Sequence, residues 1–155
     1  MKQLLAISSL GFAIMFTAAP ALTAQNNSVT TAPVPSKILG AKKVFVGNTG
    51  AGFDSSAWSG GSDRIYNEFY AALKSGGRFE LVTSPSEADL VLNVNVIPSS
   101  AVWQFKLDIL DPKTGIVLWT VYEPTKITVS QKARDKNFDD AINKLASDLS
   151  LLTNH

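Results

Sequence analysis

Between residues 102 and 110 every second side chain is large and apolar. Trp103, Phe105, Leu107 and Ile109 alternate with Gln104, Lys106 and Asp108. A period of two belongs to an extended chain with one face buried and one face wet, so this stretch is predicted to be a strand of a one-sided sheet. Asp111-Pro112-Lys113-Thr114-Gly115 follows. Proline presets a negative φ and the closing glycine accepts the positive φ of a bulge, which predicts a tight hairpin. The chain should then return as a strand from Ile116 to about Tyr122, with a bend at Pro124 and a continuation through Ile127 and Val129.

The remaining elements are placed around this hairpin. Lys42 to Gly47 is a short β-branched and aromatic run, predicted as the first strand. Residues 48–61 are rich in glycine and read as a long loop. Ser62 or Asp63 is expected to cap a helix from Arg64 to about Ser75, because Ile65, Phe69, Ala72 and Leu73 recur at helical spacing. Gly76-Gly77 should end it. Arg78 to Val82 and Asp89 to Ile97 are predicted strands, separated by at most one helical turn at residues 84–88. In the second of them Leu90, Leu92, Val94 and Val96 share a face opposite Asn93 and Asn95. Lys132 to Lys136 reads as a charged loop. Asn137 is expected to cap a last helix whose stripe is Phe138, Ile142, Leu145, Leu149 and Leu152, with Asp139 and Asp140 in its first turn. The predicted fold is α+β, in two layers. A mixed five-stranded sheet carries two long helices on one face, in the order β-α-β-(α)-β-β-β-α.

The amino terminus reads as an export signal. Met1-Lys2 is the positive start, residues 4–16 are apolar apart from Ser8, Ser9 and Gly11, and Leu22-Thr23-Ala24 supplies the small residues a signal peptidase needs. The apolar run falls short of the roughly 20 residues of a membrane span. Cleavage is expected after Ala24, with Ala21 as the alternative, so no stable membrane anchor should remain. The expected organisation is a signal peptide over 1–24, a flexible polar leader over 25–41 and one α/β domain over 42–153. The destination is then the periplasm or the medium. The chain has no cysteine, so disulfides and a lipid-bearing amino-terminal cysteine are excluded. The mature part holds equal numbers of basic and acidic residues, interspersed. Nucleic-acid binding is not expected without a basic surplus on one face.

GRFELV, then SEADLVLNV, then an amphipathic strand, then LDPKTGIVLW and a terminal helix form a recognisable series. In this order the chain resembles the small α/β domain of bacterial envelope proteins of the TolB amino-terminal, CsgG and LpoB kind, or a related family of small exported proteins. The residues that carry the resemblance are Ala88-Asp89 and Asp111, Thr114, Gly115 and Trp119. It spans roughly residues 42–152. It implies a non-enzymatic role in the envelope, in which the domain docks on another protein. The chain departs from that pattern in lacking a lipobox cysteine and a second domain.

Catalytic chemistry finds few residues to use. The one histidine is His155, at the frayed end, so a Ser-His-Asp set and a histidine-based metal site are not expected. Asp108 with Asp111, and Asp139 with Asp140, are read as structural carboxylates and not as a hydrolytic pair. Gly47-Asn48-Thr49-Gly50-Ala51-Gly52 matches no phosphate-loop spacing, and no helix opens directly behind it. No cofactor is expected.

The expectation is therefore an exported interaction module that is not an enzyme. Its partner would be another envelope protein, met through the 48–63 loop or an open strand edge. The alternative is a small-ligand or glycan binder. Trp58, in the Ser-Gly loop SSAWSGG, is either a plug folded onto the core or an aromatic offered to a partner. Arg64 would join it, Arg134 is a further candidate, and Tyr122 is the second stacking surface of the glycan reading. Trp103 and Trp119 are expected in or beside the core.

Overall fold

The computed structural model describes residues 32–49, 57–99 and 102–154. The expected signal peptide, the first part of the leader, residues 50–56 of the glycine-rich loop and His155 lie outside these residues.

The alternating segment is the strand β4, Trp103–Leu110, and its inward set Phe105, Leu107 and Ile109 has no exposed surface. It lies between β3 (Leu90–Ile97) and β5 (Val117–Thr125), antiparallel to both. β1 (Lys43–Gly47) runs parallel to β3 on one side and to β2 (Glu80–Leu81) on the other. The sheet order is β2-β1-β3-β4-β5. Register keeps the apolar set on one face: Val44 sits beside Leu90, Leu92 beside Ile109 and Val94 beside Leu107. A one-residue slip would expose all of them, which fixes the pairing.

Helix α2 (Arg64–Gly76) buries Ile65, Phe69 and Leu73, four residues apart. It ends where Gly77 turns to a φ of 63°, a left-handed conformation open to glycine without steric cost. Helix α3 (Gln131–Leu152) buries Phe138, Ile142, Leu145 and Leu149. With β1, β3 and β4 these helices enclose one core, and the fold is the expected two-layer α+β arrangement. The hairpin forms as read, with Gly115 at φ 69° and a bulge between Ile109 and Leu110. Its Asp111 N–H donates to Ile116 C=O at 2.9 Å and its Gly115 N–H to Asp111 C=O at 2.8 Å.

Four boundaries differ from the sequence reading. The leader does not extend to residue 41: Ser36–Leu39 form a short helix, α1, and Ile38 and Ala41 are buried in the core. An isolated Ile and Ala among prolines carry no period, so their burial is invisible locally. β2 is two residues and not five, because Arg78 turns away to Asn154 and the carbonyl of Thr153. β5 runs through Pro124 but stops at Thr125. Beyond it, Asn137 takes the carbonyl of Lys126 and Arg134 those of Thr128 and Val129, which turns the backbone out of the sheet.

Helix α3 starts six residues ahead of Asn137, with Ser130 at its N-cap position, so Lys132 to Lys136 is helical and not a loop. Asp139 and Asp140 are in its third turn. Gln131 donates to Asp135, and Lys136 pairs with Asp140, each four residues on. Such pairs stabilise a helix whose first turns have no apolar stripe.

Candidate functional site

The loop ahead of α2 is fastened to the start of α3. Trp58 is only 6% exposed, at the end of the helical layer. Its ring centroid is 5.2 Å from Trp103, 5.2 Å from Phe138 and 5.7 Å from Phe105. The contacts with Trp103 and Phe138 are edge-on, the arrangement that aromatic quadrupoles favour. Trp58 is thus a plug, and its loop closes the core.

Two arginines hold the plug down. Arg64, the first residue of α2, lies 4.3 Å over the face of Phe138. Its Nη1 donates to Asp135 Oδ1 at 2.7 Å and to the carbonyl of Ser59 at 2.8 Å, and its Nη2 donates to Asp139 at 2.7 Å. Burial opposes its charge, but the hydrogen bonds to Asp135 and Asp139 outweigh it and keep the guanidinium pKa above its ordinary value. Asp135 accepts the N–H and the hydroxyl of Ser59, each at 2.9 Å. The Ser59 N–H is the main cause that holds this carboxyl well below the usual carboxylate range, with Arg64 adding to it. Arg134 Nε donates to the carbonyl of Ala57 at 2.7 Å, and its Nη1 to those of Thr128 and Val129, both at 2.7 Å. Its Nη2 donates to Gln131.

The structure therefore brings together three of the four residues singled out in the sequence. Trp58, Arg64 and Arg134 converge, but the arginines bond the carbonyls of Ser59 and Ala57 on either side of Trp58 and the indole packs on the core. Tyr122 does not join them. It stands on the opposite sheet face, in register with Lys106, and is 50% exposed. The aromatic pair of the glycan reading is thus divided between the two faces of the sheet. Two open grooves beside the helices, of about 380 and 290 Å³, have no aromatic side chain in their walls, and a much smaller cavity at the end of β1 has Tyr66 and Phe69 in its wall.

The carboxylates are likewise occupied. Asp108 accepts from Thr120 at 2.8 Å and pairs with Lys106 at 2.8 Å. Asp111, in the hairpin, is bonded by Lys37 at 2.6 Å and by the Lys113 N–H at 2.9 Å, and Lys37 holds its pKa below the ordinary value. Asp89 accepts the N–H groups of Lys42 and Lys43, both at 2.9 Å, which lowers its pKa and ties the start of β1 to the start of β3. The Ala88-Asp89 pair of the resemblance thus has a structural use.

The sequence offers an open strand edge as a binding surface without saying which strand supplies it, and the fold answers with the outer edge of β5. Its nine residues close the sheet on one side, with no strand beyond them among the described residues. Eight large apolar side chains are exposed among the described residues. Five of them, Ile116, Val117, Tyr122, Ile127 and Val129, follow one another along β5 and its flanks, and Val129 is fully exposed. Ile127 and Val129, expected to continue the strand, lie past its end at Thr125.

Among the described residues no helix is long and apolar enough to cross a membrane. No protein-family model and no curated protein matches this sequence. Solved structures do resemble it. A single-substitution variant of the PelC dodecamer from Paraburkholderia phytofirmans superposes with a TM-score of 0.53 at 18% identity, over 72% of this chain and 88% of that one. The PelC dodecamer in a second crystal form gives 0.51 at 17% identity, over 76% and 91%. Protein XCC0632 from Xanthomonas campestris gives 0.43 at 12% identity, over 71% and 81%. The resemblance to TolB, CsgG and LpoB continues to rest on its sequence motifs, and the likeness to PelC is one of fold.

Proposed function

We propose that this chain is an exported, non-enzymatic protein-interaction module of the bacterial cell envelope, and that it binds through the outer edge of β5. The observation that carries the reading is a nine-residue strand whose outer edge has no further strand beside it among the described residues, with Val117 and Tyr122 exposed on it and Ile116, Ile127 and Val129 exposed at its flanks. Edge strands are usually blunted by charge, by shortness or by a covering element. The only charged residue of β5 is Glu123, and Lys144 of α3 engages it at 3.1 Å. The opposite edge, β2, has two residues and is blunted by its length.

Three further observations support the reading. The amino terminus has the composition of a cleavable signal. Of the carboxylates that would serve hydrolysis, Asp111 has a lowered pKa whereas a general acid needs a raised one, and Asp108, Asp139 and Asp140 are engaged by Thr120 and Lys106, by Arg64 and by Lys136. PelC, whose fold is similar, is a dodecamer in both crystal forms, so surfaces of this fold meet other protein surfaces there.

The test places a photoreactive residue at position 122, and as a control at exposed Lys74 on α2, in cells that express the full chain. A protein adduct of defined mass at 122 and none at 74 is expected. No adduct at positions 117, 122 and 129 would refute the edge as a binding surface. Recovery of the chain from the cytoplasm with residues 1–24 intact would refute export.

A further inference from the structure

The edge of β5 has a symmetry of its own. In an antiparallel ladder, residues alternate between pairs that exchange backbone hydrogen bonds and pairs that do not. Pro124 has no N–H to give, yet it is in register with Gln104. It must therefore stand in a non-bonded pair, on the outward set. The Asp111 N–H to Ile116 bond sets the same alternation from the hairpin end. Trp119, Val121 and Glu123 consequently spend their backbone groups on β4. Thr120 and Tyr122 turn their N–H and C=O groups outward.

We propose that two copies of this chain join through their β5 edges, antiparallel and centred on Val121. This rests on the reading of that edge as the binding surface and names its occupant. Centring on Val121 sets Thr120 opposite the partner's Tyr122, and Tyr122 opposite the partner's Thr120. The outward groups then match in four backbone hydrogen bonds. The two places where β5 departs from a regular ladder are Leu118, at the bulge, and Pro124. They are equidistant from Val121, so each falls opposite the other, and the uninterrupted run from Trp119 to Glu123 pairs with itself.

Charge fits the same register. Glu123 lies opposite the partner's Trp119 and away from the partner's Glu123. The groove beside β5 is flanked by Glu123 and Asp140 against Lys126 and Lys144, two of each sign. The seam therefore meets no like-charge penalty. A head-to-tail alternative lacks a matching strand, because β2 offers two residues to the nine of β5. An isologous two-fold contact closes on itself and leaves only short edges exposed.

The purified exported chain should shift from one to two copies in sedimentation equilibrium as its concentration rises. Tyr122→Pro removes an outward N–H without touching the β4 ladder, and should abolish the dimer while circular dichroism stays unchanged. Tyr122→Glu keeps the N–H and sets its carboxylate beside Lys106, so it folds in any case. It should weaken association roughly tenfold or more. Val121→Cys, in a chain with no cysteine, places two thiols face to face in a non-bonded pair, where Cβ atoms approach to about 4.5–5.5 Å. It should form a disulfide dimer under mild oxidation, and Lys74→Cys should not.

A monomer at every concentration, with a photoadduct at 122 to a different protein, overturns self-pairing and leaves the edge reading standing. A monomer with no adduct overturns both. An oligomer that survives both Tyr122 variants assembles by another face and overturns self-pairing.

Discussion

The guanidinium of Arg64 lies 4.3 Å over the ring of Phe138, while its two outer nitrogens reach Asp135 and Asp139 one helical turn apart on α3. One side chain thus joins the first turn of α2, the loop that carries Trp58 and the amino-terminal half of α3. Arg64→Lys keeps the charge but has no planar fork, so at most one of the two carboxylates retains its partner. A loss of about 1–2 kcal/mol is expected. Urea unfolding of the two proteins measures it, and equal midpoints would show that the fork is dispensable.

Trp58 should behave as a core residue and not as a docking residue. Trp58→Ala is expected to cost about 3–5 kcal/mol, the range for removal of a large buried aromatic. In a chain with Trp103 and Trp119 replaced by phenylalanine, the remaining indole should emit at short wavelength and resist iodide quenching. Emission typical of exposed tryptophan would place Trp58 outside the core.

Two neighbouring glycines should answer alanine in opposite ways. Gly76 ends α2 with no atom near a Cβ added there, so Gly76→Ala is expected to stabilise by about 0.5–1 kcal/mol. Gly77 holds φ at 63°, and Gly77→Ala is expected to destabilise by about 1 kcal/mol. Paired thermal melts check both signs in one experiment.

Acid should unfold the protein through Asp89, Asp111 and Asp135. Each has a folded pKa below its ordinary value. A lowered carboxylate pKa stabilises the fold above the unfolded pKa, near 4, and that contribution disappears as pH falls through the folded value. Stability should therefore be level at neutral pH and fall below about pH 4. Asp135→Asn removes one titrating group and should make the decline shallower. Urea midpoints measured between pH 2 and 7 decide it, and an unchanged slope would exclude Asp135 as a contributor.

The alternation from Trp103 to Ile109 gave β4 and its buried face, and DPKTG gave the hairpin with its positive-φ glycine. Four-residue spacing gave α2, and paired glycines gave its end. Each of these signals is local, since propensity and period act between residues a few positions apart. The start of α3 was not legible, because Arg134 and Asp135 are held by Ala57 and Ser59, more than seventy residues away. The same holds for Ile38, whose burial depends on a core assembled from distant strands.

The candidate residues divide along the same line. Local sequence context marked Trp58 in its Ser-Gly loop, with Arg64 beside it and Tyr122 and Arg134 as further candidates, but it carries no information on direction. The fold turned the first, second and fourth inward, because two arginines and an indole find carbonyls, carboxylates and aromatic rings there. It left Tyr122 outside, on a strand with no neighbour beyond it among the described residues. Local periodicity determined which segments became strands and helices. Long-range packing and hydrogen bonding decided which loop closed the core and which edge remained open, since those contacts exist only once distant segments meet.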